Sequence, residues 1–306
     1  MEKRIIKILC GLVFVGALLC LLPSMGLSQC SVSMGSQTFT TIGAAITSAT
    51  SPYATIFVTG TCPENLQINE SKNDISLIGP GDGGATISSV TIFGKGITVK
   101  GFTITGPLDG IQVAGGGSAI IDYNTIITGG YGIIVAFNSY ATIVDNTIQN
   151  NPRGGIVVTY SSFARIGIRS NNSNEDPVPN FIQGNAFGVL VGGSSSAQII
   201  GNTISSNTED GVRVTKVSQA DISDNDIDGN GRNGILVEQN SGVNLGRDTE
   251  VTFFDHPNRS DEEGNGAYGL SCDTGGYADG RLGTLDGVGK KTATYFAKSC
   301  VDSLIP

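Results

Sequence analysis

The chain has no tryptophan and a single histidine, His256. It lacks the largest flat aromatic face a protein can offer a ligand, and any mechanism that needs an imidazole must run through one residue. Charge is also scarce. Asp, Glu, Lys and Arg make up 15% of the 306 residues, with 18 basic against 27 acidic side chains and a net charge of −9. Such a surface excludes nucleic acid and anionic membrane as natural partners. The one long apolar run, Ile8 to Leu22, is short for a membrane span.

That run instead reads as the core of an export signal over residues 1–28. Lys3, Arg4 and Lys7 precede it, and Gly26-Leu27-Ser28 supplies small residues before a cut at Gln29. An uncleaved anchor is the alternative. A lipoprotein reading of Leu27-Ser28-Gln29-Cys30 fails because Gln29 stands where a small residue is wanted. Cleavage removes three positive charges and one negative one, taking the net charge from −9 to −11 and leaving no stable membrane span. The expected location is secreted or periplasmic.

What the chain has in abundance is glycine, 44 in all, and repetition. The phrase Gly132-Ile133-Ile134-Val135, Ala141-Thr142-Ile143, Asn146-Thr147-Ile148, Asn151 returns as Gly211-Val212-Arg213-Val214, Ala220-Asp221-Ile222, Asn225-Asp226-Ile227, Asn230. Its lead glycines are Gly110, Gly132, Gly155, Gly188, Gly211, Gly234 and Gly269, with a basic step of 22 or 23 residues. A period of this size signals a solenoid. Each period holds three short apolar stretches that alternate like strands, and none is long enough for a useful helix. Three strands per turn, stacked on the next turn, give three parallel sheets around one core. Asn124, Asn146, Asn180, Asn202 and Asn225 recur at one phase, where stacked asparagines bond from coil to coil at a tight bend.

These features resemble the right-handed parallel β-helix proteins of the pectate-lyase-like superfamily, and within it the NosD-like repeat proteins of bacteria. The resemblance covers roughly residues 54 to 285. It implies an all-β, three-sheet solenoid of about nine coils. Residues 29–53 are expected as an N-terminal cap, with a short helix built on Ile42, Ala45, Ile46 and Ala49, and residues 286–306 as a C-terminal cap. The superfamily contains lyases, epimerases, hydrolases, esterases and adhesins, so the fold does not settle an activity. The chain lacks the polygalacturonase motifs, the pectate-lyase Trp-x-Asp-His and the full pectinesterase Leu-Gly-Arg-Pro-Trp, since Leu245-Gly246-Arg247 continues with Asp248. Gly60-Thr61-Cys62-Pro63-Glu64 resembles the Gly-x-Tyr-x-Glu stretch of pectinesterase-like helices, where the glutamate is structural.

Once the signal is gone, four cysteines remain, two near each end. The expected pairs are Cys30–Cys62 and Cys272–Cys300, although Cys272 also occupies an inward position where a buried free thiol would fit.

Two coils carry insertions, after Ala164 and after Val243. Taking Asn180 and Ser260 as the ladder positions that follow, with Asn265 restoring the phase, both leave the solenoid at the same corner, three coils or roughly 14 Å apart. Such loops form two walls of a site. They hold Arg169, Glu175 and Asp176, then Arg247, Asp248, Glu250, Asp255, His256 and Arg259. Arginines pair with sugar carboxylates, carboxylates hold calcium, and His256 offers acid–base chemistry. The catalytic candidates are Arg169, Arg247, Asp255 and His256. The ligand-binding candidates are Arg169, Asp176, Arg247, Asp248 and Arg259. The bland alternative is solvated loops with surface ion pairs.

Asp224, Asp226 and Asp228 match the opening of a calcium loop, but the twelfth position is Ile235, so an exposed acidic patch is the competing reading. No cofactor other than calcium is suggested.

The outward row of the first sheet, Gln112, Ile134, Val157, Leu190, Arg213 and Leu236, is mostly aliphatic and suits covering or self-association. The second sheet presents Thr142, Arg165, Gln198, Asp221 and Asn244, and the third Thr125, Thr147, Thr203 and Asp226. Tyr140, Tyr160, Phe163 and Phe181 remain as sugar-stacking residues. The expectation is an exported non-catalytic module that binds glycan or a cell-envelope component. The alternatives are a polysaccharide lyase or epimerase at the two-loop corner, and a self-assembling surface protein.

Overall fold

The inward Ile and Val of each phrase lie in register on those of the next. Along the first sheet the stack runs Ile111, Ile133, Ile156, Val189, Val212, Ile235, Leu270, and every member is buried. In parallel strands about 4.8 Å apart, such stacking puts branched aliphatic side chains of adjacent coils in contact. Each adds about 1.5 to 3 kcal/mol of burial before conformational entropy is set against it. The computed structural model describes residues 29–50, 52–170, 176–246, 256–260, 264–281, 283–287 and 300. The expected signal, residues 1–28, lies outside these, as does most of the expected C-terminal cap.

The result is an all-β solenoid of three parallel sheets. The first has nine strands, from Asn65–Ile68 to Leu270–Cys272. The second runs from the first half of Thr55–Thr61 to Tyr277–Gly280. The third runs from the second half of Thr55–Thr61 to Asp226–Asp228, and is extended by single bridges at Arg259 and Thr284.

Where one sheet turns into the next, a strand-to-strand bond is lost and a backbone N–H faces the interior. Side chains replace that bond at all three corners. Between the second and third sheets stand Asn124, Asn146, Asn180, Asn202, Asn225 and Asn258. Each of the first five donates its backbone N–H (2.9–3.1 Å) and its side-chain Nδ2 (2.8–3.0 Å) to the Oδ1 of the next. The ladder residue after the second insertion is thus Asn258 and not Ser260, whose hydroxyl bonds the Ile227 carbonyl at 2.7 Å. Asn265 belongs to a second ladder, between the third and first sheets: Asn151, Asn185, Asn207, Asn230, Asn265. A third ladder joins the first and second sheets. Ser139, Ser162, Ser195 and Ser218 each pass a backbone N–H to the next hydroxyl, ending on Ser241.

The cap helix spans Ile42–Ser48, with Ile42, Ala45 and Ile46 buried. Seven residues are too few for a helix to persist alone, and side chains of the first coil hold both its ends. Glu64 accepts the N–H groups of Ile42 and Gly43 at 2.8 and 3.0 Å, and Lys72 donates to the carbonyls of Thr47 and Ala49 at 2.7 and 2.8 Å. An antiparallel hairpin, Ser31–Met34 with Gln37–Phe39, covers the open edge of the second sheet by pairing with Thr55–Thr61. The disulfides are Cys30–Cys62 and Cys272–Cys300, so Cys272 is bonded and not a free thiol.

Two measurements follow from this construction. Asn202→Ala strips the acceptor from two buried donors of Asn180, and should cost about 2 to 4 kcal/mol. It would lower the urea midpoint with the slope unchanged. A midpoint that does not move would show that the ladders contribute nothing to stability. Separately, Cys272→Ser with Cys300→Ser should lower stability by about 3 to 4 kcal/mol, given the 28-residue separation. The check is the same denaturation compared with the intact bond.

Candidate functional site

Both insertions leave at the corner between the second and third sheets, since each ends on a member of the same asparagine ladder, Asn180 and Asn258, three steps apart. The charged groups there are engaged locally. Arg169 turns toward the N-terminal end, where it and Lys100 hold the buried carboxylate of Asp122 at 3.2 and 2.9 Å. Asp176 is exposed. Arg259 lies 3.8 Å from Asp224. His256 is exposed, and its carbonyl accepts the Asp224 N–H at 2.9 Å. The corner thus gathers His256, Arg259 and Asp224, while Arg169 faces away from them. Arg247, Asp248 and Asp255, with Glu175 and Glu250, lie outside the described residues.

Asp224, Asp226 and Asp228, the calcium-loop candidates, lie at a corner and on the strand that follows it. Asp224 forms the corner with a φ of 56°, and Asp226–Asp228 is a strand with Ile227 buried in the core. Asp228 accepts the Gly264 N–H at 2.8 Å. Among the described residues, no group of three or more His, Cys, Asp or Glu side chains is placed to hold a metal ion.

The aliphatic row of the first sheet is in register from Gln112 to Leu236. Ile134, Val157 and Leu190 are half-buried and Leu236 is buried. Arg213 donates to Glu238 on the same face.

A concavity lies on the outer face of the second sheet, away from the two-loop corner. Two outward rows run along this face: Tyr140, Phe163, Ser196, Gln219, Gly242, Tyr277, and beside them Thr142, Arg165, Gln198, Asp221, Asn244, Asp279. At one end Tyr140 and Phe163 stack, with centroids 5.7 Å apart and planes within 13°. Arg165 braces them. Its guanidinium lies 5.7 and 5.8 Å from the two ring centroids, and it donates to the Tyr140 hydroxyl and, at 3.3 Å, to the Gln198 amide oxygen. At the other end Tyr277 lies over Gly242, where any Cβ would collide with its ring, and its hydroxyl donates to the Gln219 amide oxygen at 3.1 Å.

Between these aromatic ends is a cavity of about 510 Å³, lined by Phe163, Ser196, Gln219, Asp221, Asn244, Tyr277 and Asp279. From Phe163 to Tyr277 is four coil steps, roughly 19 Å. Of the other aromatics singled out from sequence, Tyr160 stacks on Phe137 at 4.7 Å on the corner between the first and second sheets, and Phe181 stands half-exposed on the third. Tyr140, Phe163, Gly242 and Tyr277 share one outward phase, but the residues between them, Ser196 and Gln219, break any repeat that would mark the row in the sequence.

The chain matches the family described as "Right handed beta helix region" over residues 88–166 and 164–276. No curated protein matches it. Among solved structures it is similar to a variant of a periplasmic alginate epimerase, at 15% identity and a TM-score of 0.40, over 76% of this chain and 68% of that one. It is also similar to the A-module of a mannuronan C-5 epimerase from Azotobacter vinelandii, at 15% identity and a TM-score of 0.38, over 78% of this chain and 85% of that one. The stacked registers, the corner ladders and the family match together place the chain in the right-handed β-helix family.

Proposed function

We propose that the protein is an exported, non-catalytic module that binds a glycan chain along the second-sheet groove. The observation that carries this reading is the pairing of aromatic faces at both ends with a continuous row of amide, carboxylate and hydroxyl side chains between them. Sugars present the same duality, an apolar C–H face and a rim of hydroxyls. Ring faces take the first, and Gln219, Asp221, Asn244 and Ser196 suit the second. The coil repeat of about 4.8 Å is close to the length one pyranose adds to an extended chain, so each coil offers its outward pair to about one sugar. The disulfides at both ends suit an oxidising compartment.

The lyase or epimerase alternative places its chemistry at the two-loop corner. Of its arginines, Arg169 points away to Asp122 and Arg259 lies 3.8 Å from Asp224, which favours the groove.

Affinity electrophoresis against a polysaccharide panel, followed by calorimetry on the best ligand, tests the proposal. Tyr277→Ala and Phe163→Ala should each weaken binding roughly tenfold, about 1.4 kcal/mol, while His256→Ala leaves it unchanged. Shortening of any polymer by the protein would overturn the non-catalytic reading. Unchanged affinity in both aromatic variants would remove the groove from consideration.

A further inference from the structure

Resting on that reading, we infer that the glycan taken by the groove is branched, and that one branch sugar stacks on Tyr160 at the corner between the first and second sheets. Each coil turns this corner through two successive left-handed residues. The first of the two forms a row, Gly115, Phe137, Tyr160, Gly193, Lys216 and Gln239, with φ between 53° and 61°. Such backbone suits glycine and asparagine, and an aromatic residue there is strained. Phe137 and Tyr160 stack with centroids 4.7 Å apart and planes within 3°, yet stay 50% and 58% exposed. One stacked pair returns no more than two left-handed aromatics give up, so stability does not explain the pair.

The two ends of the stack differ. Beyond Phe137, the Phe93 ring lies over Gly115, 3.1 Å from where a Cβ would stand. Beyond Tyr160 comes Gly193, and the atoms nearest its Cβ position are Thr159 Oγ1 and the Tyr160 backbone. The next side chain in the row is that of Lys216, two coil steps or roughly 10 Å from Tyr160. The stack runs along the rod at the coil spacing, so the outer face of Tyr160 looks onto this gap. The gap admits one pyranose ring, stacked through its C–H face. Tyr160, Gly193 and Lys216 each stand three residues before Phe163, Ser196 and Gln219 of the groove, at most about 11 Å along the chain. One sugar linked to a main chain in the groove spans that distance.

The test is calorimetric titration of the intact protein with matched pairs of probes. One pair is mannopentaose and its galactosyl-branched form, and the other is cellotetraose and the same backbone carrying xylosyl branches. On the backbone that binds, the branched probe should bind about tenfold tighter. Tyr160→Asn, which keeps a residue suited to left-handed backbone, should abolish that gain and change linear affinity by less than about twofold. An unchanged urea midpoint checks its fold. Gly193→Gln is the second variant. Gln239 holds the same corner position at a φ of 54°, and a side chain at 193 fills the gap, so the branch preference should again be lost.

Equal affinity for linear and branched probes would overturn the inference and leave the glycan reading standing. So would a branch preference that survives both variants. Failure of all four probes to bind would overturn the glycan reading, and this inference with it.

Discussion

The hydrogen bond from one coil's corner residue to the same residue on the next coil is the constraint on which the rest of the structure depends. A solenoid corner turns a backbone N–H inward, away from any strand partner. A buried donor left without an acceptor costs more than an ordinary hydrogen bond returns. Asparagine solves this with one side chain. Its Oδ1 takes the backbone and side-chain donors of the preceding coil, and its Nδ2 reaches a carbonyl and the next Oδ1, as Asn146 does toward Asn180 and Ile121. Since each link needs the next, the phase of the chain is locked coil by coil. Insertions are tolerated only where they return to the ladder, as at Asn180 and Asn258.

This constraint explains what was legible beforehand. Residues facing inward or sitting in a ladder must repeat, so the inward Ile and Val, the phase of Asn124 to Asn225 and the short cap helix could be read directly. The serine ladder was harder, because Ser139, Ser162 and Ser195 look like ordinary loop residues until their registers are known. Ser260 reads as a ladder residue because an insertion of unknown path erases the phase. Two small polar residues, Asn258 and Ser260, then competed for one position. The hairpin at Ser31–Met34 pairs antiparallel with Thr55–Thr61, across an intervening helix, and no local pattern announces such a partner.

The outward positions follow a different logic. Nothing in the fold obliges Phe163, Ser196, Gln219, Gly242 and Tyr277 to resemble one another, so the groove has no repeat signature. Reading for charged motifs led instead to the insertion loops. In the structure Arg169 and Arg259 pair with Asp122 and Asp224 while their side chains stay partly exposed. The groove is a consequence of the same stacking that builds the core: a row of outward side chains at fixed spacing, interrupted where Gly242 lets Tyr277 fold over it. The fold thus supplies a ruled surface whose outward side chains vary from coil to coil.

The most direct test of this account is a hydrogen-exchange footprint of the protein, with and without a saturating oligosaccharide. The account predicts added protection confined to the second sheet, in Phe163–Ile166, Ser196–Ile200, Gln219–Ser223, Gly242–Leu245 and Tyr277–Gly280. Protection centred on the first-sheet strands Tyr131–Val135, Gly154–Val158 and Val189–Val191, or on the corner around His256 and Arg259, would contradict it.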